Sequence, residues 1–170
     1  MSPRVVVVGM PASGKSTVGA AVAERLGVEF VDADEVIEQR TGKLIREIFS
    51  DDGEAAFRAI EEEVVLDALA TSDGVLSLGG GAVISPRIRE ALASVPVAWL
   101  DVSVTTATRR AGLTQLRPLV LGDVRARMET LLDERRHLYE EVATYRVAAD
   151  RLSAAELSDL IVGALEENRS

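Results

Sequence analysis

Residues 9–17 carry the spacing of a phosphate-binding loop. A glycine and four further residues precede Gly14, Lys15 and Ser16, directly between a run of valines and a helical pattern. Glycines let successive backbone N–H groups converge on phosphate oxygens, and the helix N-terminus adds a positive dipole. Lys15 supplies charge for the β- and γ-phosphates, the Ser16 hydroxyl suits Mg²⁺, and Thr17 would lie beside the α-phosphate. The pattern therefore predicts a P-loop that binds a nucleotide.

Two carboxylates follow the second predicted strand, and they suit phosphoryl transfer to a hydroxyl. Asp32 and Asp34 are two residues apart, so on an extended segment both would point into the crevice beyond the carboxyl ends of the strands. One can hold magnesium through water, while the other accepts a proton from the attacking hydroxyl. The pair also fits the N-cap and acidic first turn of a helix, because Glu35 and Val36 follow. Both roles can coexist.

Glycines and arginines further along the chain indicate a second pocket, for the acceptor. The three consecutive glycines are Gly79, Gly80 and Gly81. Such a run lets a ligand approach the backbone closely, which favours a substrate floor over a simple linker. A guanidinium is a two-pronged donor that suits a carboxylate, and the candidates are Arg58, Arg135 and Arg136. Each of the three also fits a solvated charge on a helix.

Residues 112–123 have weak periodicity and two bounding glycines, which favours a mobile loop. Arg117 lies within this segment, and an arginine on a lid can close over the γ-phosphate as an arginine finger. Arg109 and Arg110 precede the segment and can contact the nucleotide.

Strand and helix patterns alternate along the chain and would position these residues. Strands are predicted at 5–8, 28–31, 75–78, 97–102 and 145–148, and helices at 15–26, 35–41, 44–49, 53–69, from 85 onward, 105–111, 125–142 and 153–168. The unbroken run of four valines at 5–8 is typical of a strand buried on both faces. The repeated alternation predicts an α/β fold, with a parallel sheet covered by helices on both faces.

Composition excludes several classes of protein. A chain of 170 residues favours one domain, and 19 basic against 28 acidic residues give a net charge of −9. That charge disfavours binding to nucleic acid or to an anionic membrane. No cysteine and one histidine exclude a disulfide scaffold, thiolate catalysis and a multi-histidine zinc site. The first apolar run is too short for a signal-peptide core, and no run approaches a membrane span, so we expect a cytoplasmic protein.

The nucleotide-binding loop leaves several functions open. The guanine-reading and switch motifs of a GTPase are absent from the sequence, and motor or transporter ATPases are usually larger. A small P-loop protein with an acceptor pocket instead indicates a kinase of metabolites or nucleoside monophosphates.

Six motifs in order resemble the shikimate kinase family, whose members have a nucleoside-monophosphate-kinase-like P-loop fold. They are residues 9–17, Asp32-x-Asp34, Ile48-Phe49 with Gly53-Glu54-x-x-Phe57-Arg58-x-x-Glu61, the segment 78–83, Arg117-Pro118-Leu119 and Arg135-x-x-x-Tyr139. The resemblance extends from residue 5 to about residue 149. It implies a three-layer fold over 1–170, with sheet order 2-3-1-4-5, a shikimate-binding region at about 33–61 and a lid at 112–123.

The resemblance also implies an activity, which is ATP-dependent phosphorylation of the 3-hydroxyl of shikimate on the route to chorismate and the aromatic amino acids. Asp34 would hold and activate the acceptor hydroxyls, while Arg58 and Arg135 clamp the carboxylate. The family arginine lies four residues before the tyrosine, which selects Arg135 over Arg136. The backbone at 79–81 would line the pocket. Phe49 and Phe57 would flank the ring, and Glu61 would orient Arg58.

The remaining site residues implied by the family fall into overlapping sets. The nucleotide set is Ala12, Ser13, Gly14, Lys15, Ser16, Thr17, Arg110, Arg117 and Arg151; the Mg²⁺ set is Ser16 and Asp32; the catalytic set is Asp34, Lys15 and Arg117. Ala12 stands where the family commonly has glycine, and its methyl need not remove the N–H donors. The segment 148–153 resembles the family weakly, with Arg151 as the candidate adenine contact.

Two alternatives to this interpretation are a gluconate-type or nucleotide kinase on the same fold, and a nucleotide-binding regulator without turnover. The Phe57-Arg58 pair with the triple glycine favours a flat carbocycle over gluconate. A regulator would not require the acceptor pocket. The expected partners are therefore ATP and shikimate, with no nucleic acid or membrane, and the expected state is a monomer.

Overall fold

The computed structural model describes residues 2–114 and 121–169. Its strands are β1 (Val5–Val8), β2 (Phe30–Asp32), β3 (Val75–Ser77), β4 (Val97–Asp101) and β5 (Tyr145–Ala148). Within these residues they form one parallel sheet in the order β2-β3-β1-β4-β5. The sheet order implied by the family resemblance is confirmed.

Helices connect the strands, as the alternating pattern predicts. They are α1 (Lys15–Leu26), α2 (Ala33–Thr41), α3 (Ile45–Asp52), α4 (Glu54–Thr71), α5 (Pro86–Leu92), α6 (Val104–Thr114), α7 (Leu121–Val142) and α8 (Ala154–Glu167). A 3₁₀ turn at Ala82–Ile84 precedes α5.

The centre of the sheet is β1, and its burial shows that helices cover both faces. Successive strand residues point to opposite faces, yet all four valines of β1 are at most 1% exposed. The core continues into β4, where Trp99 is buried. Because the strands are parallel, their carboxyl ends form one edge, where ligands bind in open α/β sheets.

Among the strands of the described residues, β2 differs most from its predicted bounds. It begins at Phe30 instead of residue 28, because Gly27 ends α1 in the left-handed conformation. The Val28 N–H then bonds to the Ala23 carbonyl oxygen at 3.0 Å, so Val28 belongs to the helix end.

The predicted loop at 112–123 is helical at both ends. Helix α6 continues through Thr114 and α7 begins at Leu121, so Gly112 and Gly122 lie inside helices. Intrinsic propensity is a weak preference that neighbouring structure overrides. Residues 115–120, and Arg117 with them, lie outside the described residues.

Candidate functional site

The P-loop joins β1 to α1 and folds around the side chain of Lys15. The Lys15 ammonium donates to the Met10 carbonyl oxygen at 2.8 Å. Burial lowers the pKa of Lys15 to about 8, while the nearby Asp34 and Asp32 carboxylates oppose that change. Gly14 has a φ of 89°, a left-handed conformation that turns the chain into the helix. The amine is therefore held at a helix N-terminus, where phosphate oxygens are attracted.

Ala12 has a φ of 62°, and it is the one non-glycine residue with a positive φ in the described part of the chain. An L-residue in the left-handed region costs about 1–2 kcal/mol. Where the family commonly has glycine, this chain has an alanine in a glycine-like backbone conformation.

Ser16 and Asp32 meet at the start of α1 and bring two oxygen ligands together. The Ser16 hydroxyl donates to Asp32 Oδ2 at 2.6 Å. Mg²⁺ prefers oxygen ligands and usually keeps waters and substrate phosphates in its shell, so one hydroxyl and one carboxylate fit it. Within 2–114 and 121–169 there is no cluster of three acidic or histidine side chains that could hold a metal by itself. The donor set fits a cation that arrives with a nucleotide.

Asp34 lies in the first turn of α2, so the prediction of an extended segment through Asp34 is wrong. The strand ends at Asp32, whose carboxylate accepts from the Asp34 N–H at 2.9 Å and caps the helix. The capping of α2 by Asp32 therefore places Asp34 in a helix, where an extended segment with alternating side chains was predicted. Both carboxylates still line the same crevice, so capping and a position in the crevice coexist.

The Asp34 carboxylate is held in an environment that favours its protonated form. Burial raises the pKa of Asp34 and the Asp32 carboxylate raises it further, while Lys15 opposes both. A Cβ on Gly79 would stand 2.8 Å from Asp34 Oδ1, so the glycine lets the carboxylate approach the backbone. A raised pKa makes this carboxylate a better proton acceptor than an exposed aspartate.

Arg58 projects from α4 and is held by a buried carboxylate. Its Nη1 donates to Glu61 Oε1 at 2.8 Å, and Glu61 is 2% exposed. Burial raises the pKa of Glu61, and the Arg58 guanidinium opposes the rise. The guanidinium carbon lies 5.2 Å from the Phe57 ring centre and 6.0 Å from that of Phe49. The Arg58 Nε is buried without a hydrogen-bond partner among the described residues, and the Glu54 carboxylate lies 3.6 Å from it as an ion-pair partner.

Arg135 reaches the same crevice from α7. It is 9% exposed, and its Nε is also buried without a hydrogen-bond partner in the part of the chain that the structure describes. Arg136 is more exposed and does not line the crevice. A buried guanidinium with an unused donor is suited to an anionic ligand.

One crevice of about 960 Å³ contains most of the predicted site. Its predicted lining residues are Ala12, Gly14, Lys15, Ser16, Thr17, Asp32, Asp34, Phe49, Phe57, Arg58, Glu61, Gly79, Gly80, Gly81 and Arg135. The crevice runs from the P-loop along the carboxyl ends of β2 and β3 to α4 and α7. The residues predicted to bind phosphate and the residues predicted to bind the acceptor therefore line one crevice.

A neighbouring cavity of about 390 Å³ lies on the other side of the P-loop. It is lined by Ala12, Ser13, Gly14, Thr17, Val18, Arg110, Leu152, Ala154 and Leu157. The Arg110 Nη1 donates to the Ser13 carbonyl oxygen at 2.8 Å, and Ser13 Oγ is buried without a partner among the described residues. This cavity has the size and the apolar walls to take a flat heterocycle beside the phosphates.

Two predicted arginines are outside both cavities. Arg151 is exposed, and it is the next residue, Leu152, that lines the smaller cavity. Arg109 is exposed on α6.

Sequence reasoning missed the contribution of α7 to the crevice wall. Val124, Arg127, Met128, Leu131 and Glu134 all line the crevice together with Arg135. Three of them lie four, seven and eight residues before Arg135, which is the spacing of one helix face. That periodicity, counted back from Arg135, would have found them.

The chain is similar to known proteins over almost its whole length. The family model described as shikimate kinase matches residues 11–166. The chain belongs to the shikimate kinase family. A shikimate kinase from Mycobacterium avium is 52% identical over 166 residues, which cover 97% of this chain and 94% of that relative.

Solved structures agree with the family assignment. A shikimate kinase from Acinetobacter baumannii in complex with shikimate aligns with a TM-score of 0.91 and 33% identity, covering 99% of this chain and 95% of that one. A gluconokinase from Sinorhizobium meliloti aligns with a TM-score of 0.64 and 22% identity, covering 96% and 91% of the two chains, and shows the fold alone. The family and the kinase fold predicted from the motifs are confirmed.

Proposed function

We propose that this protein transfers the γ-phosphoryl group of ATP to the 3-hydroxyl of shikimate, giving shikimate 3-phosphate and ADP on the route to chorismate. One observation supports the assignment of the acceptor-binding site. Arg58 and Arg135 each place a buried Nε, without a hydrogen-bond partner among the described residues, at the crevice that continues from the P-loop. Two such cations suit one small carboxylate, and membership in the family identifies the carboxylate as that of shikimate.

The acceptor binds with its carboxylate between Arg58 and Arg135. Glu61 is the fixed partner of Arg58 and keeps its guanidinium directed into the crevice. The backbone of Gly79, Gly80 and Gly81 forms the floor of the part of the crevice that takes the acceptor. The rings of Phe49 and Phe57, whose centres are 4.6 Å apart, provide its apolar wall.

Asp34 takes the proton from the attacking hydroxyl. It is a partly buried carboxylate in the crevice that contains both the P-loop and the acceptor-binding arginines. Lys15 leaves the Met10 carbonyl and stabilises charge on the β- and γ-phosphates. The backbone N–H groups from Ala12 to Thr17 surround the same phosphates. Phosphoryl transfer needs positioning and charge stabilisation above all, which is what these groups supply.

Ser16 and Asp32 would hold Mg²⁺ together with the phosphates, as their paired oxygens permit. When bound, the ion neutralises charge on the β- and γ-phosphate oxygens.

The nucleoside end of ATP occupies the smaller cavity, beside Arg110 and Leu152. Arg151 is a peripheral contact at most in this proposal, since it is exposed beside that cavity. Arg117 lies outside the described residues, and its proposed role as an arginine finger rests on the Arg117-Pro118-Leu119 motif and on chemistry.

We further propose that one chain acts alone, as a monomeric single domain in the cytoplasm. The groups assigned to both substrates come from one chain, which supports the monomer. In the described residues no helix has the length and apolar character to cross a membrane.

A coupled assay of ADP release tests the proposal, with shikimate, gluconate and a panel of nucleoside monophosphates as acceptors. We expect release that depends on shikimate and on Mg²⁺. Release with gluconate or a nucleotide alone would assign the crevice to that acceptor. ATP binding without acceptor-dependent release would indicate a regulator instead.

A further inference from the structure

Tyr139 is a buried tyrosine on α7 whose hydroxyl leaves the core and reaches the acceptor floor. The side chain is fully buried, and its ring stacks on Trp99 with the ring centres 5.8 Å apart. The hydroxyl donates to the Gly80 carbonyl oxygen at 2.5 Å, across 59 residues of sequence. Burial raises the pKa of Tyr139 to about 12, so the hydroxyl remains a donor at neutral pH.

The Gly80 carbonyl differs from its neighbours in how it is satisfied. The Gly79 and Gly81 carbonyls accept from the Ala82 and Ile84 N–H groups at 3.1 Å, within the same turn. The Gly80 carbonyl instead accepts from the hydroxyl on α7. Since buried carbonyls need a partner, this bond ties the middle of the floor to a distant element.

The floor in turn contacts the other groups of the site. A Cβ on Gly79 would stand against Asp34, one on Gly80 against Pro11 of the P-loop, and one on Gly81 against the Arg58 guanidinium. Any shift of this backbone therefore changes its distance from the proton acceptor, the P-loop and the first arginine together.

Arg135 lies one helical turn before Tyr139, on the same face of α7. The positive charge of Arg135 opposes the rise in the pKa of Tyr139. The residue that holds Gly80 therefore lies on the same helix face as the second arginine, which lines the crevice.

We propose that Tyr139 is a positioning residue for the acceptor. Its hydroxyl fixes the 79–81 floor to α7 and thereby sets Arg135 at the distance from the floor that a carboxylate needs. The part that concerns Arg135 rests on the proposed function; the part that concerns the floor does not.

The Tyr139→Phe variant removes the hydroxyl and keeps the ring that stacks on Trp99. The fold has a second tie between these elements: Arg89 donates to the Val83 and Ile84 carbonyls at 2.7 and 2.9 Å and pairs with Glu141 of α7 at 2.7 Å. We therefore expect the variant to fold, with the circular dichroism and the Trp99 emission of the parent.

The matched control is Tyr145→Phe. Tyr145 is the other tyrosine of the chain, and its hydroxyl contacts the Ala164 carbonyl and Asn168, away from the crevice. The same chemical change is thus made where neither substrate is proposed to bind.

The first measurement is hydrogen–deuterium exchange on peptides covering residues 78–84 in the free protein. We expect exchange about fivefold to tenfold faster in Tyr139→Phe and unchanged in Tyr145→Phe, because one hydroxyl bond to the floor is lost. This readout requires no substrate, so it decides the floor contact even if the proposed acceptor is wrong. Unchanged exchange in Tyr139→Phe would overturn the inference.

The second measurement separates positioning from a general loss of stability. We expect Tyr139→Phe to raise the KM for shikimate about fivefold to tenfold and to leave the KM for ATP within twofold. Added to Arg135→Ala, the same change should cost less than it does in the parent, because part of its effect passes through that arginine. Equal effects on both KM values, or fully additive losses in the double variant, would refute positioning. Absence of shikimate turnover by the parent would instead refute the proposed function.

Discussion

Arg135 and Arg136 are neighbours in the sequence but have different surroundings in the fold. Arg135 is 9% exposed and lines the crevice with an unpartnered Nε, whereas Arg136 is more exposed and lines neither cavity. We expect Arg135→Ala to raise the KM for shikimate about 10²-fold or more, as a charged hydrogen-bonding partner is lost. Arg136→Ala should change it less than threefold. Steady-state kinetics at saturating ATP measure both, and the opposite ranking would place the wrong arginine in the clamp.

The position of Asp34 is expected to make the folded state less stable than it could be. Its folded pKa is raised, because burial and the Asp32 carboxylate disfavour the charged form relative to the protonated form. Asp34→Asn should therefore raise the free energy of unfolding at pH 7, by about 0.5–2 kcal/mol. The gain should shrink as the pH falls through the raised pKa, where the parent's carboxyl becomes protonated. Turnover should fall by about 10²–10⁴.

Urea unfolding at a series of pH values measures the effect of Asp34→Asn, in buffers without Mg²⁺. Glu35→Gln is the control, because Glu35 is an exposed acid in the same helical turn. Its change should stay within about 0.5 kcal/mol. A lower stability of the Asp34→Asn variant than of the parent would contradict the effect assigned to burial.

The unit of β1, P-loop and α1 carries a strained residue at Ala12, with a φ of 62°. Glycine has no penalty in this region, although it also increases the freedom of the unfolded chain. We expect Ala12→Gly to raise the free energy of unfolding by about 0.5–1 kcal/mol, because relief of strain exceeds the entropy cost. ADP affinity should stay within threefold, since the backbone already has the glycine-like conformation.

Ala12→Val is the opposing variant for the P-loop, because a β-branched residue is least tolerated at a positive φ. It should destabilise the protein where Ala12→Gly stabilises it. Thermal and urea unfolding of the three proteins give the ranking. Equal stability of all three would mean that the loop relaxes at no cost.

Sequence patterns predicted an element well where a local signal defined both of its ends. The structure has β1 and α1 at the predicted bounds, because an unbroken run of valines marks the strand and a loop–helix motif that ends at Gly27 marks the helix. Strand β5 also has the predicted bounds. At β2 the helix-ending Gly27 competes with the apolar pattern, so the strand begins two residues late. At 112–123 the two glycines suggest a loop, yet α6 extends past Gly112 and α7 begins before Gly122.

Contacts between distant segments could not be predicted in the same way. The Arg110 bond to the P-loop joins residues 97 apart, and the Tyr139 bond to Gly80 joins residues 59 apart. Periodicity gives the face of a helix but not the element that the face meets. The family resemblance supplied the sheet order and thereby part of this information, but no role for Tyr139.

The whole molecule has a net charge of −9, yet both proposed substrates are anions. The net charge of the molecule and the local charge of the crevice predict opposite effects of salt on the KM values. Long-range repulsion from the net charge would weaken as salt is added, so KM would fall. Short-range attraction to Lys15, Arg58 and Arg135 in the crevice would also weaken, so KM would rise.

We expect the crevice cations to dominate, because they line the crevice in which the anions are proposed to bind. Between about 20 and 200 mM KCl, the KM values for shikimate and for ATP should each rise about twofold to fivefold. In Arg135→Ala the salt dependence should decrease for shikimate and persist for ATP, whereas Arg136→Ala should match the parent. KM values that fall with added salt would show instead that the net charge governs how these anions reach the site.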